Sequence, residues 1–105
     1  MFGEATLATG VGVLAANTAG GDALRVEGKA AFSRSGVLTV AAGKSSATHT
    51  RVELTKASLV LATLQQDRDG VHVSSAVPDV ARHSFTVHLS KAAPARTKVA
   101  WFVVN

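Results

Sequence analysis

The chain has 105 residues, a length that suits one domain with a short appendage, and 47% of its residues are hydrophobic. Its formal net charge of +4 arises from 11 Lys and Arg against 7 acidic residues, but the basic residues lie singly without interleaved aromatic residues, which argues against nucleic acid as a partner. The chain has no cysteine, which excludes disulfides, thiol catalysis and cysteine-bound zinc, and no apolar stretch is long enough for membrane insertion as a spanning helix.

The amino-terminal third is rich in glycine, alanine and threonine. The run GVGVLAANTAGGDALRVEG (10–28) contains a loose repeat of about ten residues, in which short alternating apolar pieces are separated by small turn residues. No single unit has enough apolar area to fold alone, and such repeats become stable by stacking on neighbours or on other chains. We therefore predict that residues 1–34 form a short intertwined β shaft or stem, of the β-helix kind.

Short alternating runs separated by turn signals follow from residue 35 to the end. The predicted strands lie in VLTVAAG (37–43), ATHTRVELT (47–55), SLVLATLQ (58–65), VHVSSAV (71–77), SFTVHLSK (84–91) and TKVAWFVVN (97–105). The loop QDRDG (66–70) contains Asp-Gly, which predicts a hairpin between the third and fourth strands. Six strands with turns every eight to twelve residues or so predict an all-β antiparallel sandwich over residues 35–105.

Two of these runs are apolar on both faces. SLVLATLQ is therefore predicted to be a buried central strand. In the last run, alternate residues from Val99 to Val103 face one way, and alternate residues from Ala100 to Val104 face the other. We expect copies of the same chain around a threefold axis to cover the second face. The predicted trimer interface comprises Leu59, Leu61, Val99, Trp101, Phe102 and Val103.

The chemical motifs favour no enzyme and no cofactor. GVGVLA (10–15) matches a dinucleotide-binding Gly-x-Gly-x-x-Ala pattern, but the helix that this motif requires would run into NTAGG, so a glycine-rich repeat is favoured. The serines lack a nucleophile elbow. The acidic pair Asp67 and Asp69 flanks a turn, whereas a catalytic carboxylate pair needs an apolar cleft.

The four histidines lack the spacing of metal ligands, so no resident metal site is predicted. Three of them, His49, His72 and His88, are predicted on the exposed polar faces of strands. One alternative stays open, in which a threefold axis gathers three copies of one histidine around an ion.

One polar cluster is dense enough to suggest a ligand site. It comprises Asp67, Arg68 and Asp69 of the QDRDG loop, together with His72. Such side chains could hydrogen-bond sugar hydroxyls, although a solvated charged turn is the commoner explanation of this pattern.

The carboxy-terminal stretch LVLATLQ…GVHVSSAVPDVARHSFTVHLSKAAPARTKVAWFVVN resembles the H-type lectin domain, most specifically at SF-T-V and VAW. The likeness covers residues 37–105. It implies a compact six-stranded antiparallel sandwich that assembles as a trimer and binds N-acetylgalactosamine-type sugars near subunit contacts. The family's aromatic sugar contacts do not map here, because the chain has no Tyr and its single Trp lies in the closing strand.

The amino-terminal repeats resemble the shaft segments of bacteriophage tail fibres and tailspikes, in which three chains wind together. ALRVEGKAAFSRSG (23–36), which leads directly into the predicted sandwich, also resembles the ends of repeat-rich proteins from actinobacteria and their phages. Together these resemblances imply a homotrimeric, non-enzymatic tip of a fibre-like protein, extracellular or virion-associated. The alternative function is a carbohydrate-binding module that recognises surface glycans at subunit interfaces.

Overall fold

The structure is a computed structural model of one chain and describes residues 3–6 and 10–105. The chain divides into two compact units, Met1–Ala31 and Phe32–Asn105. In the first unit, residues 3–6 and 10–31 are exposed and form neither helix nor strand. An intertwined shaft therefore remains a prediction, because winding of this kind requires partner chains. Residues 32–34, which the sequence assigned to the stem, belong to the second unit.

The second unit contains six antiparallel strands in two three-stranded sheets, which confirms the predicted all-β, sandwich-like fold. One sheet has the strand order β1–β6–β3 and the other has the order β2–β5–β4. Across the described parts of the chain there is no helix, and hence none long and apolar enough to cross a membrane. The strands are β1 (Ser35–Val40), β2 (Ser46–His49), β3 (Leu59–Leu64), β4 (Val73–Asp79), β5 (Ser84–Leu89) and β6 (Thr97–Val104).

The central strand of the first sheet, β6, turns Val99, Trp101 and Val103 inward. Their exposed fractions are 0%, 7% and 3%. This burial corrects their assignment to a trimer interface, because side chains sealed within one chain cannot contact another. The second sheet covers them, so three of the six predicted interface residues belong to the core of a single chain.

The central strand of the second sheet, β5, presents Phe85, Val87 and Leu89 to the core, as its alternation predicts. Phe85 is fully buried, and its ring lies edge-on to the Trp101 indole with ring centroids 5.2 Å apart. Aromatic pairs in this geometry stabilise a core beyond the area that they bury. Phe85 and Trp101 therefore join the two sheets at the centre of the unit.

Strand β3 lies at an edge of its sheet, which corrects the prediction of a buried central strand. Its neighbour in the sheet is β6. The outward side chains of Leu59 and Leu61 are 59% and 57% exposed, whereas Val60, Ala62 and Leu64 pack against the core. An apolar run alone does not show whether its second face is buried within the chain or left at the surface.

The QDRDG loop (66–70) connects the two sheets, which corrects the prediction of a hairpin. It leads from β3 to β4, and these strands belong to different sheets. The Asp-Gly turn itself is present, since Gly70 has a φ of 72° and the Val71 amide donates to the Arg68 carbonyl at 3.0 Å. The dipeptide indicated a turn but not which strands the turn connects.

The segment ATHTRVELT (47–55) does not form one continuous strand. Arg51 has a left-handed backbone with a φ of 59°, and β2 ends before it at His49. Because the strand is interrupted, the inward positions of Val52 and Leu54 do not determine which residues of β2 face inward. His49 faces inward, which corrects its predicted exposure, and its ring centroid lies 4.6 Å from that of Trp101. Val52 and Leu54 belong to the core although neither residue lies in a strand. His72 and His88 are exposed, as predicted.

Candidate functional site

The outer face of the β1–β6–β3 sheet is apolar and open. We call it the apolar face and define it by Val37, Leu59, Leu61, Ala100, Phe102 and Val104. In the strand register Leu59 lies opposite Val104, Leu61 opposite Phe102 and Val37 opposite Ala100, so the six residues share one surface. Val37, Leu59 and Leu61 are more than half exposed, and the three β6 residues are half-buried.

A neighbouring aromatic side chain extends this surface. Phe32 is 60% exposed, and its ring centroid lies 5.1 Å from that of Phe102. A shallow groove of about 220 Å³ runs beside Phe102 and is walled by Leu61, Thr63 and Ala100. Lys98 is the one charged residue among the described outward positions of these three strands. Covering the centre of the face would therefore require no charged group to lose its water.

The outer face of the β2–β5–β4 sheet is polar by contrast. Its paired positions are Ser46 and Ser75, each opposite His88, and Thr48 opposite Thr86. The hydroxyls of Thr48 and Thr86 are 2.8 Å apart and hydrogen-bonded. Val77, at 49% exposure, is the large apolar residue that this face presents. Of two outer faces built by the same chain, one is suited to water and the other to protein.

Of the predicted trimer interface, the structure leaves Leu59, Leu61 and Phe102 at the surface. Sequence reasoning placed Ala100 and Val104 with Phe102 on the second face of the last strand but left them out of the predicted interface residues, and it missed Val37. The signal for Val37 was present, because Val37 and Leu38 make the first strand apolar on both sides. Which outward residues share a face depends on register, which the sequence did not specify.

The predicted ligand cluster in the loop 66–72 is not gathered into one site. The Arg68 guanidinium donates from Nε to the Thr97 hydroxyl at 3.1 Å and from Nη2 to the Arg96 carbonyl at 3.0 Å. Asp67, Asp69 and His72 are exposed. Arg68 therefore ties this loop to the β5–β6 loop, and ligand binding by the four residues remains a prediction.

We expect Arg68→Ala to lower the free energy of unfolding by about 1–3 kcal/mol, because the buried Thr97 hydroxyl loses its donor and a loop–loop connection is lost. Urea unfolding followed by circular dichroism measures the change. Asp67→Ala removes an exposed charge from the same loop and serves as the control, with an expected change within about 0.5 kcal/mol. Equal stability of the Arg68 variant and the parent would contradict this structural role.

A second concave region lies at one end of the unit, in two cavities that share Arg51, Val52 and Glu53 in their walls. One cavity, of about 520 Å³, is open to solvent and is also lined by Arg82 and His83. The other, of about 660 Å³, extends to residues 33–37 and Trp101. We call the two together the cationic cleft. Nothing in the sequence pattern indicated it, because its walls come from segments far apart in the chain.

Metal-ligating side chains do not cluster in the part of the chain that the structure describes. No group of three His, Asp or Glu side chains there is close enough to hold an ion. An ion shared by three copies of one histidine would need partner chains and remains an open alternative.

Comparisons with protein-family models, with curated proteins and with solved structures find no match to this chain. The geometry of the apolar face and of the cationic cleft is therefore the basis for a functional assignment. The resemblances to H-type lectins and to phage fibre shafts remain predictions from the sequence.

Proposed function

We propose that the protein is a non-enzymatic homotrimeric assembly module of a fibre-like protein, extracellular or virion-associated. In this proposal three copies of Phe32–Asn105 associate through the apolar face, and the glycine-rich segment forms the stem of the same trimer. The contrast between the two outer sheet faces carries the proposal, since a free monomer gains nothing from exposing Leu59, Leu61 and Phe102 together.

The energetics favour an interface that includes the stem. Fully burying one large apolar side chain contributes about 1.5–3 kcal/mol, and only about half of each of Val37, Leu59, Leu61 and Phe102 remains to be buried, so the four together supply about 3–6 kcal/mol. Association costs about 4–15 kcal/mol in lost freedom of motion, which makes the face alone marginal. The amino-terminal unit adds Val11, Leu14 and Leu24, which are 71%, 83% and 75% exposed in the single chain. Winding three stems together would bury these side chains as well.

Methyl NMR with a soluble paramagnetic relaxation agent tests the proposal directly. We expect the methyl groups of Leu59 and Leu61 to be protected from the agent at concentrations where the chain assembles, because a second copy covers them. The methyl groups of Val77, on the polar outer face, provide the internal control and should relax strongly throughout. Relaxation of the leucine methyls as fast as those of Val77 at every concentration would contradict an interface on the apolar face.

Carbohydrate binding through Asp67, Arg68, Asp69 and His72 receives less support from the geometry. Arg68 already holds the β5–β6 loop, and the other three side chains project into solvent. The cationic cleft gives a glycan-binding function better support than this loop does.

A further inference from the structure

The cationic cleft carries more positive charge than its neighbours neutralise. Its lining residues include Arg34, Arg51 and Arg82, against the single acidic residue Glu53. Arg34 donates from Nη1 to the Glu53 carbonyl at 3.0 Å, and Arg82 Nε lies 3.9 Å from an Asp79 carboxylate oxygen. Within residues 3–6 and 10–105, the Arg51 side chain has neither a hydrogen bond nor an ion pair. The cleft therefore attracts an anion, and Arg51 is the group free to bind it.

The backbone around the cleft is held in an uncommon conformation. Arg51 and His83 have φ values of 59° and 48°, in the left-handed region that residues other than glycine rarely adopt. The Val52 amide donates to the His83 carbonyl at 3.1 Å, so each of the two segments fixes the other. Such conformations persist where the surrounding structure imposes them, and they concentrate at binding sites.

An unpartnered donor lies at the inner wall of the same cleft. Trp101 Nε1 is buried and has no hydrogen-bond acceptor in the described part of the chain. Gly36 lies opposite Trp101 in the strand register, and a Cβ atom at position 36 would lie 3.3 Å from Nε1. Both residues line the larger cavity. The glycine thus keeps the space beside the indole N–H free of a side chain, and an acceptor oxygen from a ligand there would satisfy the donor.

We propose that the cationic cleft binds an acidic sugar, with its carboxylate on the Arg51 guanidinium. A carboxylate matches the planar, two-pronged donor geometry of arginine. Ser33, Ser35 and Glu53 line the larger cavity, where Ser33 and Glu53 can exchange hydrogen bonds with ring hydroxyls. The Ser35 hydroxyl donates to the Phe32 carbonyl at 2.7 Å and is left to act as an acceptor. The cavity volumes of about 520 and 660 Å³ are within the range of small-molecule sites. All of these residues belong to one chain, so the site does not depend on the proposed trimer.

The single tryptophan makes the test specific, because its indole gives one Nε1–H signal in a ¹⁵N spectrum. Methyl β-D-glucuronide is the probe, and methyl β-D-glucoside, which has the same ring without the carboxylate, is the matched control ligand. We expect a saturable shift of the indole signal with the glucuronide and at least a tenfold weaker effect with the glucoside. The same result is expected in Leu59→Asp, a change on the apolar face at the strand farthest from β1, which separates this site from assembly.

Arg51→Gly is the matched variant, because glycine adopts the left-handed backbone without strain while the guanidinium is removed. We expect at least a tenfold loss of glucuronide affinity, with an unchanged midpoint of thermal unfolding or a higher one. Lys44→Ser removes one positive charge from the loop at the opposite end of β1 and should leave the affinity unchanged. The proposal is overturned if the indole signal does not move at millimolar glucuronide, if sodium acetate binds as tightly, or if Arg51→Gly binds like the parent.

Discussion

We expect replacement of Phe102 by aspartate to disrupt self-association while the unit remains folded. Phe102 is half-buried at the centre of the apolar face, opposite Leu61 on one side and Ser35 on the other. A charge there must lose its water on assembly, and central aromatic residues are worth about 2 kcal/mol or more in an interface. The dissociation constant should therefore rise by about thirtyfold or more, which analytical ultracentrifugation measures. Within the monomer, the cost is the lost burial of half the ring, about 1 kcal/mol, and the contact with Phe32, about 1 kcal/mol more.

Val77→Asp is the matched control for this variant. Val77 is an exposed apolar strand residue on the outer face of the other sheet, and it pairs with Thr86. Placing the same charge there should leave the assembly mass unchanged. If Val77→Asp dissociates the assembly and Phe102→Asp does not, the interface lies on the other sheet and the assignment of the apolar face is wrong.

Trp101→Asp, one position earlier on the same strand, should unfold the carboxy-terminal unit. Trp101 is 7% exposed and contacts the rings of Phe85 and His49 in the core. Truncation of a core aromatic residue costs about 3–5 kcal/mol, and burial of an unpaired carboxylate adds several more. A unit of this size has about 4–11 kcal/mol of total stability. Far-UV circular dichroism should show no cooperative thermal transition.

The neighbouring pair, Trp101→Asp and Phe102→Asp, separates folding from assembly. The two variants differ by one position along β6 and therefore by the face that carries the charge. Loss of folding in the first and loss of assembly alone in the second follow from the two-sided pattern of this strand. A cooperative transition in Trp101→Asp near that of the parent would show that the core described for β6 is wrong.

The sequence was most informative where a strand is buried on one side. Strand β5 alternates apolar and polar residues, and Phe85, Val87 and Leu89 face the core as that alternation requires. The number of strands and the antiparallel class followed from the spacing of the turns. In such segments local pattern and tertiary burial agree, so the pattern is sufficient.

The sequence was least informative where a strand is apolar on both sides. Leu59 and Leu61 could be covered by the same chain or by another, and hydrophobicity is the same in both cases. For Val99 and Trp101 the chain's own second sheet provides the cover. Distinguishing these cases requires the order of strands in each sheet. The Asp-Gly turn led to a wrong prediction of that order, because it joins strands of different sheets.

The cationic cleft could not be predicted from the sequence, for a different reason. Its charge comes from Arg34, Arg51 and Arg82, which are separated in the sequence and converge through the packing of the two sheets. The left-handed backbone of Arg51 carries no compositional signal, since glycine or asparagine would be the usual residue at such a position. The glycine at 36 became informative once its position opposite Trp101 was known.

The mass of the purified chain in solution tests the central claim, that the apolar face brings three copies together. Native mass spectrometry at micromolar concentration should show a species of three chains, each of 10.7 kDa. A single 10.7 kDa species throughout that concentration range would show that the exposed leucines and Phe102 are tolerated by a free monomer, and the proposed assembly would be wrong.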